Sequence, residues 1–378
     1  MMFLRATCAL VLLGILVAGL WPFHTPRNEV SWLSQRNGLL FGKYGSILSA
    51  TPFKAHLPQG SCSVEIWLEP RRVKASGTIL AFHRPEGRAV PFALRQSLGD
   101  LEILRTSDDP SRHGKRVKVY VDDVFVHQKL VLVTIASGRS GTTIYVDGAL
   151  IKKAPNFRFS SLELTGQFVI GNAPTTTDNW SGQLTGLALY ERELTADEAS
   201  QHYEYWTKGE QARLAENEGA AALYLFNEGN GNVVHNQVDS ATDLLIPERF
   251  FVLHEQFLDR PWNEFTPGWD YWKNVGINII GFIPFGFFFY AYFSLGQTPK
   301  GALAKTIAFG FATSLIIEVL QAFLPTRDSG MTDLITNTFG TALGAISYIW
   351  IVKRHWFARA GVKIPLFSEA MKRSSSVR

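Results

Sequence analysis

The sequence has few cysteines and little charge in its C-terminal third. Only 2 of its 378 residues are cysteine, Cys8 in an apolar N-terminal segment and Cys62 in a mixed region. We expect no disulfide between them and infer no redox compartment from them. Charged residues make up 19% of the chain, yet residues 275–352 contain very few of them. A stretch with so little charge is not expected to be exposed to water. Residues from about 25 to 270, in contrast, alternate apolar and polar positions as soluble proteins do.

Several signatures of enzymes are also missing. The sequence shows no nucleophile motif, no closely spaced acid pair typical of a glycosidase and no histidine cluster for a metal. The formal charge of +4 is small, and most of the excess lies after Val352, which indicates membrane orientation rather than nucleic-acid binding. These absences favour a protein that is not an enzyme, uses no cofactor and binds no nucleic acid.

Four apolar segments come close to the roughly 20 residues that cross about 30 Å of hydrocarbon. They are residues 6–23, 275–295, 304–324 and 334–352. They predict an α-helical transmembrane bundle of about four helices. The first segment has a second interpretation as a cleaved signal peptide, because it has a basic start and small residues near its end.

Basic residues predict the orientation of these segments. Arg5 precedes the first, Lys300 and Lys305 lie between the second and third, and the tail after residue 352 is rich in lysine and arginine. Because basic flanks remain in the cytoplasm, both termini are predicted to be cytoplasmic. Residues 24–273 and the loop 325–333 are then extracytoplasmic, under either interpretation of the first segment.

Residues 28–245 contain short apolar runs separated by turn residues. The runs 62–68 and 116–121 alternate with period two, and Asp147-Gly148 predicts a type I′ hairpin turn. So many short strands indicate an all-β sandwich or barrel. One helix is expected after Thr195, the predicted N-cap residue, with Glu198 completing a capping box.

Several motifs in this region resemble the laminin-G/concanavalin A-like jelly-roll family. They are Val64–Pro70 (VEIWLEP), Ile144–Gly148 (IYVDG), Gly171-Asn172, Trp180–Gly182 and Leu189–Leu194. The family's usual opening strand corresponds here to 222–231, which implies a permuted sandwich closed by its last strand. The family includes carbohydrate and calcium-dependent protein binders, so the resemblance implies an extracytoplasmic lectin-like binding module.

Candidate binding residues in this region each have a structural alternative. Trp180 is a glycan-binding candidate, but the favoured interpretation of Trp180 and Trp67 is that they are core aromatics between two sheets, and Tyr190 has the same alternative. Weak calcium candidates supply oxygen ligands, with ordinary turn chemistry as the alternative. They are Asp178, Asn179, Asn227 and Glu228.

Polar residues recur at helical spacing in the apolar C-terminal third. They are Asn274, Asn278, Ser314, Glu318, Gln321, Arg327, Asp328, Asp333 and Asn337. Ionisable groups at membrane depth are costly and so indicate a functional site. We expect one polar pocket near the outer surface, with Arg327 as counter-ion for Glu318 or Asp333. The alternative is that these residues only lock helix packing.

The same pattern resembles the VanZ-like family, named for a teicoplanin-resistance protein. It runs Asn274-x3-Asn278, Phe282–Gly286 (FIPFG), Ser314-x3-Glu318-x2-Gln321, Pro325-x-Arg327-Asp328 and Asp333-x3-Asn337-x2-Gly340. The resemblance implies a further helix upstream, which residues 6–23 could supply, making the jelly roll an insertion. It also implies a link with glycopeptide antibiotic susceptibility.

The predicted protein is therefore a multi-pass protein of the bacterial plasma membrane with an extracytoplasmic jelly roll. The predicted segments are a first transmembrane helix or signal peptide (1–24), a sandwich (25–245), a juxtamembrane connector (246–269), a VanZ-like domain (270–353) and a cytoplasmic tail (354–378). Its expected partners are membrane lipid and an envelope glycan, peptidoglycan precursor or protein. The first alternative is a membrane enzyme with Glu318 as base and Asp333 as acid. The second alternative is a proton-coupled transporter, although four helices are few for a transporter.

Overall fold

The computed structural model describes residues 1–55, 60–84, 90–106, 116–253, 257–265, 268–327 and 329–359. The chain divides into two compact units. We call His24–Glu255 the sandwich unit, and Met1–Phe23 together with Gln256–Arg378 the helical unit.

The described part of the sandwich unit contains short strands, nearly all of them antiparallel to their neighbours. They are β1 (Val30–Trp32), β2 (Leu39–Phe41), β3 (Ile47–Ser49), β4 (Cys62–Pro70), β5 (Ser76–His83), β6 (Phe92–Ser97), β7 (Asp100–Thr106), β8 (Arg116–Val121), β9 (Val131–Gly138), β10 (Gly141–Val146), β11 (Ala149–Ala154), β12 (Gln167–Ile170), β13 (Gly182–Tyr190), β14 (Ala222–Tyr224), β15 (Val233–Val234) and β16 (Leu244–Leu245).

The strands form two sheets of 8 strands each. The first has the order β1-β2-β13-β4-β9-β10-β11, with β14 also paired to β13, and the second has the order β15-β16-β3-β12-β5-β6-β7-β8. The prediction of an all-β sandwich is confirmed. In the segment 222–231, which was predicted to close the sandwich, residues 222–224 form β14. This strand pairs with β13, with Tyr224 opposite Leu187.

Alternation along the strands builds the core between the sheets. On β4, Val64, Ile66 and Leu68 are fully buried in the central cluster, while Glu65 and Trp67 point to the opposite face. Burying each large apolar side chain contributes roughly 1.5–3 kcal/mol. That opposite face is covered in part by α2 (Ala196–Lys208) and α3 (Ala212–Glu216).

The start of α2 has the predicted capping box. The Thr195 hydroxyl accepts from the Glu198 amide at 3.3 Å, and the Glu198 carboxylate accepts from the Thr195 amide at 2.7 Å. The cap satisfies amides that a helix start leaves free and contributes about 1 kcal/mol.

A buried carboxylate joins α2 to the first sheet. Glu65 is fully buried and accepts hydrogen bonds from Tyr190 Oη at 3.0 Å, Thr134 Oγ1 at 3.1 Å and Trp206 Nε1 at 3.2 Å. His202 Nδ1 of α2 lies 3.1 Å from the same carboxylate. A buried charge is tolerated only when it is paired and hydrogen-bonded in this way.

The helical unit contains one short helix and four long ones in its described residues. They are α1 (Met2–Leu20), α4 (Pro261–Glu264), α5 (Trp269–Phe293), α6 (Pro299–Gln321) and α7 (Met331–Arg359). The four long helices are long and apolar enough to cross a membrane, which confirms the predicted helical bundle. The helix α5 begins six residues before the predicted span, because its first turns carry aromatic residues rather than an unbroken apolar run.

Small residues allow α5 and α7 to approach closely. A Cβ at Gly286 would clash with the Thr341 carbonyl, and Cβ atoms at Gly340 and Gly344 would clash with the α5 backbone. Without a hydrophobic drive between helices in lipid, such close packing supplies much of the association energy.

The His202 environment predicts a pH dependence of stability. Burial disfavours the charged imidazolium, but the hydrogen bond and charge of Glu65 outweigh it, so the pKa of His202 is raised above its ordinary value. A raised folded-state pKa adds stability below about pH 6.5 that is lost as the pH rises through the folded value. We expect His202→Gln to lower the unfolding temperature of the sandwich unit by about 2–4 °C more at pH 6 than at pH 8.5.

Thermal unfolding of the full chain, followed by near-ultraviolet circular dichroism, measures this difference. A His202→Gln protein with the same pH dependence as the wild type would show that the ion pair adds no stability. His127→Gln, a change at an exposed histidine, is the matched control.

Candidate functional site

The polar residues of the helical unit form separate groups of contacts at the helix ends. The last turns of α6 run beside the first turn of α7 and the last turn of α1. This places Glu318 and Gln321, three residues apart on α6, next to two different helix termini. We call the group around Glu318 the carboxylate group, which comprises Glu264, Glu318, Ser329, Gly330 and Asp333.

Glu318 accepts hydrogen bonds at the start of α7. Its side chain is only 1% exposed, and its Oε2 accepts from the Gly330 amide at 2.9 Å. The Ser329 hydroxyl gives it a second hydrogen bond, and Asp333 in the first turn of α7 acts on it electrostatically. A helix start has free amides and a partial positive charge, so a carboxylate is stabilised there.

A second carboxylate at this helix start was not predicted. Glu264 Oε2 accepts from the Thr332 amide at 3.2 Å, and a Cβ at Gly330 would clash with its Oε1. Burial raises the pKa of Glu264, as does the nearby charge of Asp259, while hydrogen bonds from Thr332 and Met331 oppose the rise. The sequence signal that could have indicated Glu264 is its position as an acid in an aromatic-rich connector, in the short helix that Pro261 begins.

The connector itself is tied to the same helix start. Asp259 and Gly330 form a parallel bridge, in which the Met331 amide donates to the Asp259 carbonyl at 2.9 Å and the Asp259 amide donates to the Ser329 carbonyl at 3.2 Å. The carboxylate group therefore has a backbone frame as well as side-chain contacts.

Arg327 and Gln321 bind the end of α1. Gln321 Nε2 donates to the Gly19 carbonyl at 2.8 Å. Arg327 donates through Nε to the Trp21 carbonyl at 3.0 Å and through Nη2 to the Ala18 carbonyl at 3.4 Å. Arg327 was predicted as a counter-ion for Glu318 or Asp333, but the structure directs it to carbonyls at a helix C-terminus. The free carbonyls and partial negative charge at the end of α1 stabilise a cation there, as the start of α7 stabilises a carboxylate.

The other predicted residues differ in their contacts. Ser314 and Asn337 are buried, and Asn337 Nδ2 donates to Ser314 Oγ at 3.0 Å, which joins α6 to α7. Asn274 is exposed and Asn278 is half-buried. Asp328 lies outside the described residues.

In the sandwich unit, the glycan candidate Trp180 is a core residue. It is 1% exposed, its Nε1 donates to Gln96 Oε1 at 2.9 Å, and its ring centroid lies 5.9 Å from that of Phe41. A side chain without an exposed face cannot stack on a sugar, so Trp180 is the core aromatic of the favoured interpretation and not a glycan-binding residue. Tyr190 is also buried, whereas Trp67 keeps an exposed edge on the outer face of the first sheet.

The calcium candidates are engaged in ordinary protein contacts. Asp178 pairs with Arg95, whose Nε lies 2.8 Å from Oδ2, and Glu228 Oε1 accepts from the His235 amide at 2.7 Å. Asn227 is exposed on the loop after β14. Among the residues described, no group of three or more histidine, cysteine or acidic side chains could hold a metal ion. These contacts are those of the structural alternative, ordinary turn chemistry.

The fold and these contacts define a membrane protein with an antiparallel β-sandwich and a bundle of long apolar helices in one chain. Residues 220–353 match the family model described as VanZ/LLP1. Residues 41–200 match the model of the concanavalin A-like lectin/glucanases superfamily. Residues 220–353 are thus VanZ-like, and residues 41–200 form a laminin-G/concanavalin A-like domain of the same membrane protein.

Solved structures similar to this chain include the receptor binding domain of botulinum neurotoxin D, at 16% identity and a TM-score of 0.35, with 48% of each chain covered. The receptor binding domain of botulinum neurotoxin type G is similar at 15% identity and a TM-score of 0.28, over 47% of this chain and 50% of that one. This chain spans about half the length of these structures, and similarities this weak carry no argument about function. No curated protein matches the chain.

The contacts of Arg327 predict how α1 is held. Arg327→Ala leaves carbonyls at the end of α1 without donors, which costs about 1–3 kcal/mol. Cys8 of α1 is 5% exposed, with its Sγ 3.5 Å from the Phe288 carbonyl of α5. We expect Arg327→Ala to raise the rate of Cys8 alkylation by N-ethylmaleimide roughly tenfold, because α1 leaves α5 more often.

The buried Cys62 of the sandwich unit is the internal reference for this measurement, and Lys300→Ala is the control for loss of a cation. Unchanged Cys8 alkylation in Arg327→Ala would show that the end of α1 does not depend on the guanidinium.

Proposed function

We propose that the protein is a non-enzymatic membrane protein of the cell envelope. Its sandwich unit is a binding module outside the membrane, and its carboxylate group engages the head group of an amphiphile at the outer leaflet. The observation that carries the second part is the grouping of Glu264, Glu318 and Asp333 at the start of α7. A single carboxylate is enough to cap a helix, and three acids in one place favour a ligand with positive charge or several hydrogen-bond donors.

Exposed aromatic residues support the placement of this group at a membrane surface. Trp269 and Trp272 at the start of α5 are 80% and 58% exposed, and Trp262 of α4 is 71% exposed. Phe323, just after α6, is 75% exposed. Large aromatic side chains at the ends of apolar helices are typical of the membrane–water boundary.

The donors that reach Glu318 and Glu264 support a ligand of this chemistry. Gly330 and Thr332 provide backbone amides, and Ser329 provides a hydroxyl. These groups are neutral, whereas the Arg327 guanidinium is directed to the end of α1. An ammonium or hydroxyl-rich head group would therefore gain more from this group of acids than an anionic one.

Basic residues support the orientation. Arg5 lies at the start of α1, and Lys300 and Lys305 lie at the start of α6, so the opposite helix ends, with the carboxylate group, face outward under the positive-inside rule. The same rule makes both termini cytoplasmic in the bacterial plasma membrane. We infer that α1 is retained as an anchor, because its last carbonyls are bound by Gln321 and Arg327.

The likeness to VanZ adds a physiological consequence. An outer-leaflet component bound in this way, whether membrane lipid or a peptidoglycan precursor, would link the protein to glycopeptide susceptibility. The binding module would then provide contact with an envelope glycan or protein.

The closeness of the acids favours one second function, a membrane enzyme that acts on a lipid-linked substrate. Acid–base catalysis requires one protonated and one ionised carboxyl group close together. Glu318 would be the base and Asp333 the partner acid. Arg327 argues against this role, because its guanidinium is occupied at the end of α1 rather than free for a phosphate.

Substitution of Glu318 separates the two functions. Glu318→Gln keeps a hydrogen-bond acceptor for Gly330 but cannot act as a base, whereas Glu318→Ala removes both. For a binding protein we expect Gln to retain folding and to weaken the binding of a cationic amphiphile about tenfold or more, with no turnover in the wild type. Turnover of a lipid-linked substrate that Gln abolishes would establish the enzyme instead.

Binding of cationic and anionic lipids to the full chain in nanodiscs, measured by native mass spectrometry, provides the comparison. Asn274→Ala is the matched control, because that polar residue is exposed and outside the carboxylate group. Equal binding by wild type, Gln and Ala proteins would contradict a head-group site at Glu318.

The orientation predicts the accessibility of new cysteines. With Cys8 and Cys62 both buried, Asn217→Cys in the sandwich unit should react with a membrane-impermeant maleimide on intact cells, and Lys300→Cys should react only after lysis. The reverse pattern would place the sandwich unit in the cytoplasm.

A further inference from the structure

The charges that act most strongly on the acids at the start of α7 are themselves negative. Glu318 is only 1% exposed, and it is acted on by the charges of Asp333 and Glu264. The equally buried Glu102 of the sandwich unit instead lies 2.7 Å from the guanidinium of Arg95. Because a buried charge is costly until it is paired, a cation from outside the protein would complete the carboxylate group.

Two oxygen atoms at the edge of the carboxylate group lack a hydrogen-bond partner among the described residues. They are Glu264 Oε1 and Thr332 Oγ1, and both are covered. Thr332 is 8% exposed, and its amide donates to the other carboxylate oxygen, Glu264 Oε2, at 3.2 Å. Its hydroxyl lies close enough to act on the Glu264 carboxyl group, yet completes no hydrogen bond with it. One donor group placed between the two oxygens would satisfy both.

The helical unit as a whole has more acceptors than donors. Within its described residues, every buried side-chain atom without a hydrogen-bond partner is an oxygen, and the others are Gln321 Oε1, Thr326 Oγ1 and Asn337 Oδ1. The unpartnered atoms of the sandwich unit, in contrast, include nitrogens such as Asn172 Nδ2. Since amide and carboxylate oxygens only accept, the ligand that fits the helical unit is one that donates.

A cation for the other end of a lipid head group lies one helical turn from Glu264. The Glu264 amide donates to the Arg260 carbonyl at 3.2 Å. Arg260 is exposed, and its guanidinium carbon lies 5.6 Å from the ring centre of Trp262, which is 71% exposed. Arg260 and Glu264 therefore carry opposite charges side by side on α4, beside an aromatic residue typical of a membrane surface. A zwitterionic head group carries the same two charges on its phosphate and its ammonium.

We propose that Glu264 and Thr332 bind the primary ammonium of a phospholipid head group, as in phosphatidylethanolamine, with its phosphate at Arg260. A primary ammonium has N–H donors for Glu264 Oε1 and Thr332 Oγ1. A quaternary ammonium has the same charge but no donor, so it leaves both oxygens unpartnered. Because these oxygens are covered, the half-buried Glu264 side chain must shift to admit the ammonium. The inference rests on the proposed function of the carboxylate group, and it names the head-group class and the residues that select it.

The test measures lipid binding to the full chain by native mass spectrometry, in a detergent without an amine. The lipids are phosphatidylethanolamine, its N-methyl and N,N-dimethyl forms and phosphatidylcholine, all with the same acyl chains. We expect the affinity to fall with each added methyl group, by about tenfold or more over the series, because each methyl group replaces a donor. The charge of the ammonium is the same in all of these lipids, so the series isolates hydrogen bonding.

Thr332→Val is the sharpest variant, because it replaces a hydroxyl without a partner by a methyl group of the same shape. We expect it to keep the wild-type unfolding temperature and to reduce the preference for phosphatidylethanolamine over phosphatidylcholine about threefold. Glu264→Gln should abolish most of the preference, and Arg260→Ala should weaken all of the lipids alike. Thr338→Val is the matched control, since that hydroxyl donates to the Leu334 carbonyl within α7 at 2.7 Å, and it should leave the preference unchanged.

Each contrary outcome overturns the inference in a different way. A preference that survives both Thr332→Val and Glu264→Gln places the ammonium elsewhere, and a lower unfolding temperature of Thr332→Val shows that the hydroxyl has a structural role. Displacement of the lipid by an equal concentration of ethanolamine in solution contradicts a lipid source. Equal affinity for the whole series, with binding that Glu318→Gln still weakens, removes the primary ammonium and leaves the proposed function intact. Lipid binding that none of the substitutions changes removes both.

Discussion

Helix ends within an apolar unit must find hydrogen-bond partners in the protein, and this requirement organises the helical unit. The start of α7 receives acceptors from Glu318 and Glu264, and the end of α1 receives donors from Gln321 and Arg327. Each charge meets the helix terminus of opposite sign. The polar residues of the membrane segments thus form hydrogen bonds with free backbone groups at helix ends. Any ligand must bind to side chains that these hydrogen bonds already hold in place.

The sandwich unit follows the same rule with a different result. Glu65 lies under α2, where its acceptors are used by Tyr190, Trp206 and Thr134, and it is closed to ligands. Two residues further along β4, where the cover ends, Trp67 is half-buried. The position of one helix on the sheet therefore separates a closed hydrogen-bond network from a partly open surface.

The sequence predicted the architecture better than the contacts. Alternation, the Thr195 capping box and uncharged segments of sufficient length specify strands and helices locally, and the structure confirms them. The partners of Arg327 could not be predicted, because the end of α1 is about 300 residues away in sequence and nothing local indicates that approach. Glu264 was missed for the same reason. Trp180 was left as a glycan-binding candidate because alternation alone does not show which face of a sandwich is covered.

The central claim is that the Glu318 carboxylate holds the start of α7, and so positions the acids grouped there. Amide hydrogen exchange of residues 329–333 in the full chain, compared between the wild type and Glu318→Ala, tests it most directly. The account predicts slow exchange in the wild type and exchange at least about tenfold faster in the variant, because the Gly330 amide loses its acceptor. Equal protection in both proteins would contradict it.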